Sequence, residues 1–319
     1  MINEEMYLRP LRSVEKKSMR DGYGDALVEL GERYEKLVVL CADLSDSTRV
    51  EKFAKNYPER FVELGIAEQN MMGVAAGMAL SGMIPIVNSF ACFSPGRNWE
   101  QFRICVAFSK TNVKVVGGHA GLGNGEDGGN QQMFEDVAIT RVLPGMTVLV
   151  PADETQIKKA TVAMMAMQGP VYMRMTKPTR DNVTTMMTPF EIGKAQVWKS
   201  GDKVTVIANG MMVVEALWAA QEIDGVEVIN VHTVKPIDAE TILRSVTKTG
   251  KVVVAEEHSI IGGLGSSVAE TLSEAGIPHL LKRVGMRDVF GESGEVAELA
   301  EKYGLNRKGI LQAIKQVIG

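Results

Sequence analysis

In the stretch GIAEQNMMGVAAGMALSGMIP, residues 65–85, one carboxylate, Glu68, opens a run of small and apolar residues. Such an acid can cap a helix, since carboxylates favour helix N-termini, or it can hold a proton for chemistry. The following stretch NSFACFSPGRNWEQFR (88–103) sets Phe90 and Phe93 just after a strand-like run. The carboxyl ends of parallel strands are where α/β sheets bind ligands. Two phenylalanines there can be local core; beside a carboxylate they would also suit a flat heterocycle that accepts a proton. A second candidate is GHAGLGNGEDGGNQQ (118–132), glycine-rich and carrying two adjacent acids. It lacks the ligand spacing of an EF-hand, which leaves a flexible surface loop or a ligand-binding one. Arg20, in SMRDGYGDALVEL, would by itself read as a surface charge ahead of a helix.

These residues must be positioned by regular elements. KLVVLCA (36–42), MIPIVNS (83–89), VKVVGG (113–118), MTVLVP (146–151) and VYMRM (171–175) read as buried strands. Helical patterns lie between them, including residues 21–34 and 154–167, so the order implies parallel β-α units. The run Gln69–Ser81 has helical spacing and no charge, which predicts a helix buried nearly all round. Residues 180–203 break the rhythm and read as a crossing linker. Strands near 204–209, 226–231, 251–257 and 279–284 then follow, and the chain divides near residue 190 into 1–190 and 191–319.

Composition excludes several classes of function. With 45% hydrophobic and 23% charged residues among 319, the chain has an ordinary globular balance. A net charge of −4 gives no general affinity for nucleic acid or anionic membrane. No apolar run reaches the ~20 residues of a membrane span, and the polar N-terminus is unlike a signal peptide. Cys41, Cys92 and Cys105 have neither disulfide nor metal spacing and read as small core residues. A cytoplasmic protein is expected. His232 and His258 read as structural. EEHSIIGGLGSS (256–267) lacks the lysine and spacing of a P-loop and reads as a turn and helix start.

Taken in order, ADLSDST (42–48), GIAEQNM (65–71), FACF (90–93), GHAGLGNGEDG (118–128), PVYMRMTK (170–177), VKPID (234–238) and EEHSIIGGLGSSVAE (256–270) resemble the transketolase family. The likeness covers nearly the whole chain. It implies two three-layer α/β domains: a thiamine diphosphate-binding pyrimidine domain and a transketolase C-terminal domain. In that family the glutamate matching Glu68 hydrogen-bonds N1′ of the cofactor's aminopyrimidine and shares the proton that activates the thiazolium carbon. Phe90 and Phe93 match the aromatic pair around the pyrimidine, and Asp43 an acid near the thiazolium. His119, Arg20 and Ser47 match contacts to the phosphate end of the sugar, and Asp127 an acid that reads a substrate hydroxyl.

Two positions depart from the family pattern. Gln131 stands where the family usually has histidine; glutamine can hydrogen-bond there but cannot shuttle a proton near neutral pH. Lys177 replaces the phosphate-binding arginine, keeping the charge without the bidentate fork; Arg174 is close enough in sequence to compensate, unless alternation along the strand aims it elsewhere. The family's Gly-Asp-Gly and downstream Asn signature for Mg²⁺ and diphosphate is absent, GEDGG (125–129) being its nearest echo. The resemblance therefore implies no metal ligands in this chain. Instead, an N-terminal, diphosphate-binding subunit would supply them, joined with this one in a heterotetramer. The implied reaction is two-carbon ketol transfer between sugars. Alternatives are a 1-deoxyxylulose-5-phosphate synthase-like enzyme, a 2-oxoacid decarboxylase beta subunit, a transketolase for a sulfonated ketose, or a non-catalytic structural relative.

Overall fold

The computed structural model describes residues 14–319 together with Met6, Tyr7 and Leu11. The polar N-terminal stretch read above therefore lies partly outside the described residues. The strands are β1 (Lys16–Lys17), β2 (Leu37–Cys41), β3 (Phe61–Glu63), β4 (Ile84–Phe90), β5 (Lys114–Gly118), β6 (Thr147–Leu149) and β7 (Val171–Arg174). They continue as β8 (Arg180–Asp181), β9 (Gln196–Lys199), β10 (Val204–Ala208), β11 (Val226–Asn230), β12 (Thr233–Lys235), β13 (Lys251–Ser259) and β14 (Leu280–Met286). The helices are α1 (Met19–Arg33), α2 (Glu51–Asn56), α3 (Glu68–Leu80), α4 (Trp99–Gln101), α5 (Asp136–Arg141) and α6 (Glu154–Ala166). In the second half come α7 (Met212–Ala219), α8 (Ala239–Thr249), α9 (Leu264–Glu274), α10 (Val296–Tyr303) and α11 (Arg307–Ile318).

A seven-stranded sheet in the order β12-β6-β7-β5-β4-β2-β3 forms the first domain, and a five-stranded sheet in the order β14-β13-β10-β11-β9 the second. All pairs of the first sheet are parallel except β12 with β6. Apolar residues at every position of β2 bury both of its faces. Leu37, Val39 and Cys41 pack under α1 and α6, while Val38 and Leu40 face a second core with α3. That second core runs on into Ile207, Ile229, Val252 and Val254 of the other sheet, so the two domains share apolar packing. β12 adds to the interlock, because a segment of the second half completes the edge of the first sheet.

Caps set the helix starts. Ser18 accepts from Asp21 N–H (3.3 Å) at α1, and Asp153 accepts from Gln156 N–H (2.9 Å) at α6. The expectation for α3 needs correction. Glu68, Met71, Met72, Ala75 and Ala76 are buried, but Gly73, Gly77 and Leu80 face outward. A Cβ added at Gly73 or Gly77 would meet nothing within 4 Å. The uncharged sequence arises from one face that packs internally and another that is small and uncovered. The presumed linker also holds structure: β9 alternates buried and half-buried residues and pairs antiparallel with β11. Among the described residues, no helix is long and apolar enough to cross a membrane.

Candidate active site

The carboxyl ends of β2, β4, β5 and β7 deliver the candidate residues to one end of the first sheet. Phe90 is the last residue of β4, and His119 follows β5 directly. Their rings stack with centroids 3.8 Å apart, and Phe93 lies 6.1 Å beyond Phe90 at an interplanar angle of 12°. His119 holds a left-handed backbone (φ 52°), as does Asp43 (φ 59°) after β2. For a non-glycine residue this conformation is uncommon and gathers at functional sites. Asp43 is fixed through its backbone: its N–H donates to Glu63 Oε1 at 2.7 Å, and Gly65 N–H donates to the same oxygen at 3.0 Å. Glu63 thus ties the ADLSDST turn to the loop leading into α3.

Glu68 opens α3 and is 2% exposed. Its backbone carbonyl accepts from Asn98 Nδ2 at 3.1 Å. Its carboxylate faces Arg97, whose Nη1 stands 3.5 Å from Oε2. The same guanidinium lies 5.3 Å from the centroid of Phe93. Arg97 and Asn98 carried no signal of their own in the sequence, because they belong to a helical run whose turn at Ser94 is extended.

Basic groups gather around His119. Burial, then Arg20, Lys177 and Arg49, push its pKa from 6.5 to about 3. The imidazole is therefore neutral, and its buried Nδ1 meets no partner. Arg20 donates from Nη1 to the backbone oxygen of Ser47 at 3.1 Å, while its buried Nε is unpartnered. Burial and the neighbouring Arg49 pull the Arg20 pKa below its ordinary value. Lys177 Nζ lies 3.7 Å from Asp127 Oδ2, with both side chains partly exposed. Crowded positive charge, with one guanidinium nitrogen left unpartnered, could attract an anion here. Asn124 holds the loop around it, donating from Nδ2 to His119 O (2.9 Å) and Gln131 O (2.7 Å).

Arg174 is not part of this cluster, which corrects the reading in which it compensates for Lys177. Its guanidinium is 5% exposed and paired with Asp136; its Nη2 donates to Glu257 O at 2.6 Å and lies 3.5 Å from the Glu257 carboxylate. Tyr172 Oη donates to Asp136 Oδ2 at 2.7 Å. Strand alternation turns Arg174 into the junction between the domains, where two carboxylates and a carbonyl take up its donors. Among the described residues, no three His, Cys, Asp or Glu side chains are grouped as metal ligands would be.

The family profile for the transketolase pyrimidine-binding domain matches residues 15–181, and that for the transketolase C-terminal domain matches residues 193–310. The chain belongs to the transketolase family. It is 46% identical over 308 residues to a Methanocaldococcus jannaschii protein provisionally named a transketolase C-terminal section, covering 94% of this chain and 96% of that one. It is 44% identical to the 6-deoxy-6-sulfo-D-fructose transketolase subunit SqwH of Clostridium sp. strain MSTE9, covering 95% of each. Among solved structures, a split gene transketolase described as an inactive beta4 tetramer superposes with a TM-score of 0.88 at 45% identity. That match covers 94% of this transketolase chain and 98% of the other. Membership in the family implies thiamine diphosphate use in general. The residues present fit one end of that cofactor: a buried carboxylate at Glu68 and the Phe90–Phe93 pair offer a site for its pyrimidine.

Proposed function

We propose that this transketolase chain is the pyrimidine-binding subunit of a two-subunit, thiamine diphosphate-dependent enzyme. It would transfer a two-carbon ketol unit from a ketose with an anionic end to an aldose. The observation that carries the reading is the pairing of a buried Glu68 with a neutral His119 set among Arg20, Arg49 and Lys177. Thiamine diphosphate, when bound, supplies the nucleophilic carbon that cleaves and remakes the carbon–carbon bond. Glu68 holds a proton at the pyrimidine N1′, and its dry surroundings strengthen that hydrogen bond. Phe90 and Phe93 flank the ring and exclude water. Asp127 and Gln131 orient the sugar hydroxyls, His119 offers a neutral donor or acceptor, and Arg20, Lys177 and Ser47 hold the anionic end. Asp43 would lie near the thiazolium end of the cofactor.

Mg²⁺ and the diphosphate would be held by a separate N-terminal subunit, since this chain's sequence lacks the corresponding signature. Self-association is supported by the outward face of α3, where Gly73 and Gly77 are open and Leu80 is 76% exposed. Small residues there allow close helix approach, and an uncovered apolar face calls for a partner. Two copies paired through α3, each with one partner subunit, give a cytoplasmic heterotetramer with two sites. The deciding experiment assays ketol transfer with Mg²⁺ and thiamine diphosphate, using the chain alone and then titrating in the N-terminal subunit. Activity only on titration is expected; full activity of the chain alone would remove the two-subunit reading.

The likeness to the sulfofructose transketolase subunit favours a second donor, a ketose ending in sulfonate. Lys177 shares its charge with Asp127 and lacks a bidentate fork, a softer match for a phosphate dianion than an arginine would be. Comparing kcat/KM for phosphorylated and sulfonated donors distinguishes the two.

A further inference from the structure

The loop bearing His119, Asp127 and Gln131 is pressed from above by the second domain. The chain between β14 and α10 runs over it so closely that side chains are shut out. A Cβ at Gly129 would stand 2.3 Å from Gly291 O, and one at Gly128 would stand 2.6 Å from Ser293 Oγ. Gly294 N–H meets Gly125 O at 3.4 Å. The glycines of GEDGG therefore serve close approach, with Gly125 (φ 54°) and Gly128 (φ 82°) also taking left-handed turns.

At the centre of this contact lies Gln132, 4% exposed. Its Nε2 donates to Gly125 O at 3.1 Å, within the loop, and to Glu292 O at 3.0 Å, in the overlying segment. Two carbonyl oxygens fix the amide's orientation, because only its NH₂ end can serve both. The other end fits because residue 291 is glycine: a Cβ there would lie 1.8 Å from Gln132 Oε1. One buried amide thus joins the two domains one residue beyond Gln131 and five beyond Asp127 in the sequence.

We propose that Gln132 is a positioning residue through which the C-terminal domain sets the place of Asp127 and Gln131 for the sugar. Its kinetic consequence rests on the ketol-transfer reading; its structural consequence does not. Gln132→Met keeps the side chain's length and loses both donors. Amide hydrogen exchange of residues 121–131 is measured in the purified chain, and donor KM and kcat are measured with the partner subunit. Faster loop exchange is expected, with a KM rise of about tenfold and a kcat within about threefold of the parent. Gly129→Ala pries the same contact from the other side and gives the same reading should Gln132→Met fail to fold. Gln132→Asn, too short to reach both carbonyls, should not restore the parent KM. Unchanged loop exchange overturns the proposal, and so does faster exchange with an unchanged KM. Absence of ketol transfer in the parent assembly would refute the function while the exchange result still decides whether Gln132 holds the loop.

Discussion

Glu68 and Glu256 are buried to the same degree, 2% and 1% exposed, and each meets the start of a helix. Glu256 spends both carboxylate oxygens there: Oε2 accepts from Leu264 N–H at 2.7 Å and Oε1 from Gly265 N–H at 2.8 Å, closing the first turn of α9. Glu68 caps nothing with its carboxylate and faces a half-exposed guanidinium at 3.5 Å. The histidines repeat the contrast. His258 accepts from Ala138 N–H at 3.3 Å across the domain junction, whereas the Nδ1 of His119 is buried without a partner. Leaving a buried polar group unpaired is costly. At this sheet end the imidazole of His119 is left in that state, while the Glu68 carboxylate is held only by the long contact to Arg97. Unpaired burial is not confined to this end, since His232 Nε2 and Glu257 Oε1 are also buried without a partner; what is particular here is the crowding of Arg20, Lys177 and Arg49 around His119.

The sharpest test of that contrast exchanges each acid for its amide. Glu68→Gln should reduce kcat by about 100-fold or more, since the amide cannot share a proton, and should leave the melting temperature near the parent value. A near-normal kcat in the saturated, assembled variant would remove Glu68 from the chemistry. Glu256→Gln should do the opposite. Losing a charge-assisted acceptor at α9 is expected to cost about 1.5–3 kcal/mol of stability, read by urea denaturation, with kcat per folded molecule unchanged.

Next in size are the cations. Arg20→Met and Lys177→Met should each raise KM for an anionic donor about tenfold and change KM little for a shortened, uncharged donor. Equal losses with both donors would assign these side chains to packing or cofactor geometry.

The smallest effect is in pH. Burial and three cations hold the His119 pKa near about 3, and burial holds that of His232 near about 4. An unfolded histidine titrates near about 6.5. Between those values the unfolded chain takes up a proton that the folded one refuses. This share of stability is therefore full above that range and is lost as pH falls through it. The slope is at most about 1.4 kcal/mol per pH unit for each histidine. His119→Phe and His232→Phe should each flatten the profile. Sulfate, by placing negative charge among Arg20, Lys177 and Arg49, should weaken the His119 contribution alone. A sulfate effect that survives in His119→Phe would separate the anion from this residue.

Much of this arrangement was legible in the sequence, and the reasons differ by element. The main strands announced themselves because parallel strands covered on both faces are mostly continuous apolar runs, as LVVLC is, with the buried Lys114 of VKVVGG an exception. β3, β9 and β12 were silent: each is a short edge segment, and its pairing depends on neighbours distant in the chain. The motifs pointed to a candidate site because Phe90 ends β4, His119 follows β5 directly and Glu68 opens α3. Arg174 stayed open between two directions, since proximity in sequence does not tell which side of β7 a residue faces, and it takes the one away from Lys177. Glu63, Arg97, Asn98 and Gln132 were missed for a shared reason. Their importance lies in what they touch across turns or domains, and no spacing rule records that. The helix α3 was read correctly as uncharged, but in the single chain only one of its faces is enclosed, because composition alone does not tell a covered apolar face from an open one.

The strand β12 has a consequence for how the molecule is made. When the ribosome has released β6 and β7, the first sheet still has an open edge at β6. The segment that closes it, Thr233–Lys235, is not yet synthesised. An open strand edge can pair with another chain, so the half-made protein passes through a window in which misassembly competes with completion. A cut near residue 190, however well it separates the two sheets on paper, would make that window permanent: the first piece would end with β6 unpaired, and the second would carry a strand with no sheet to join.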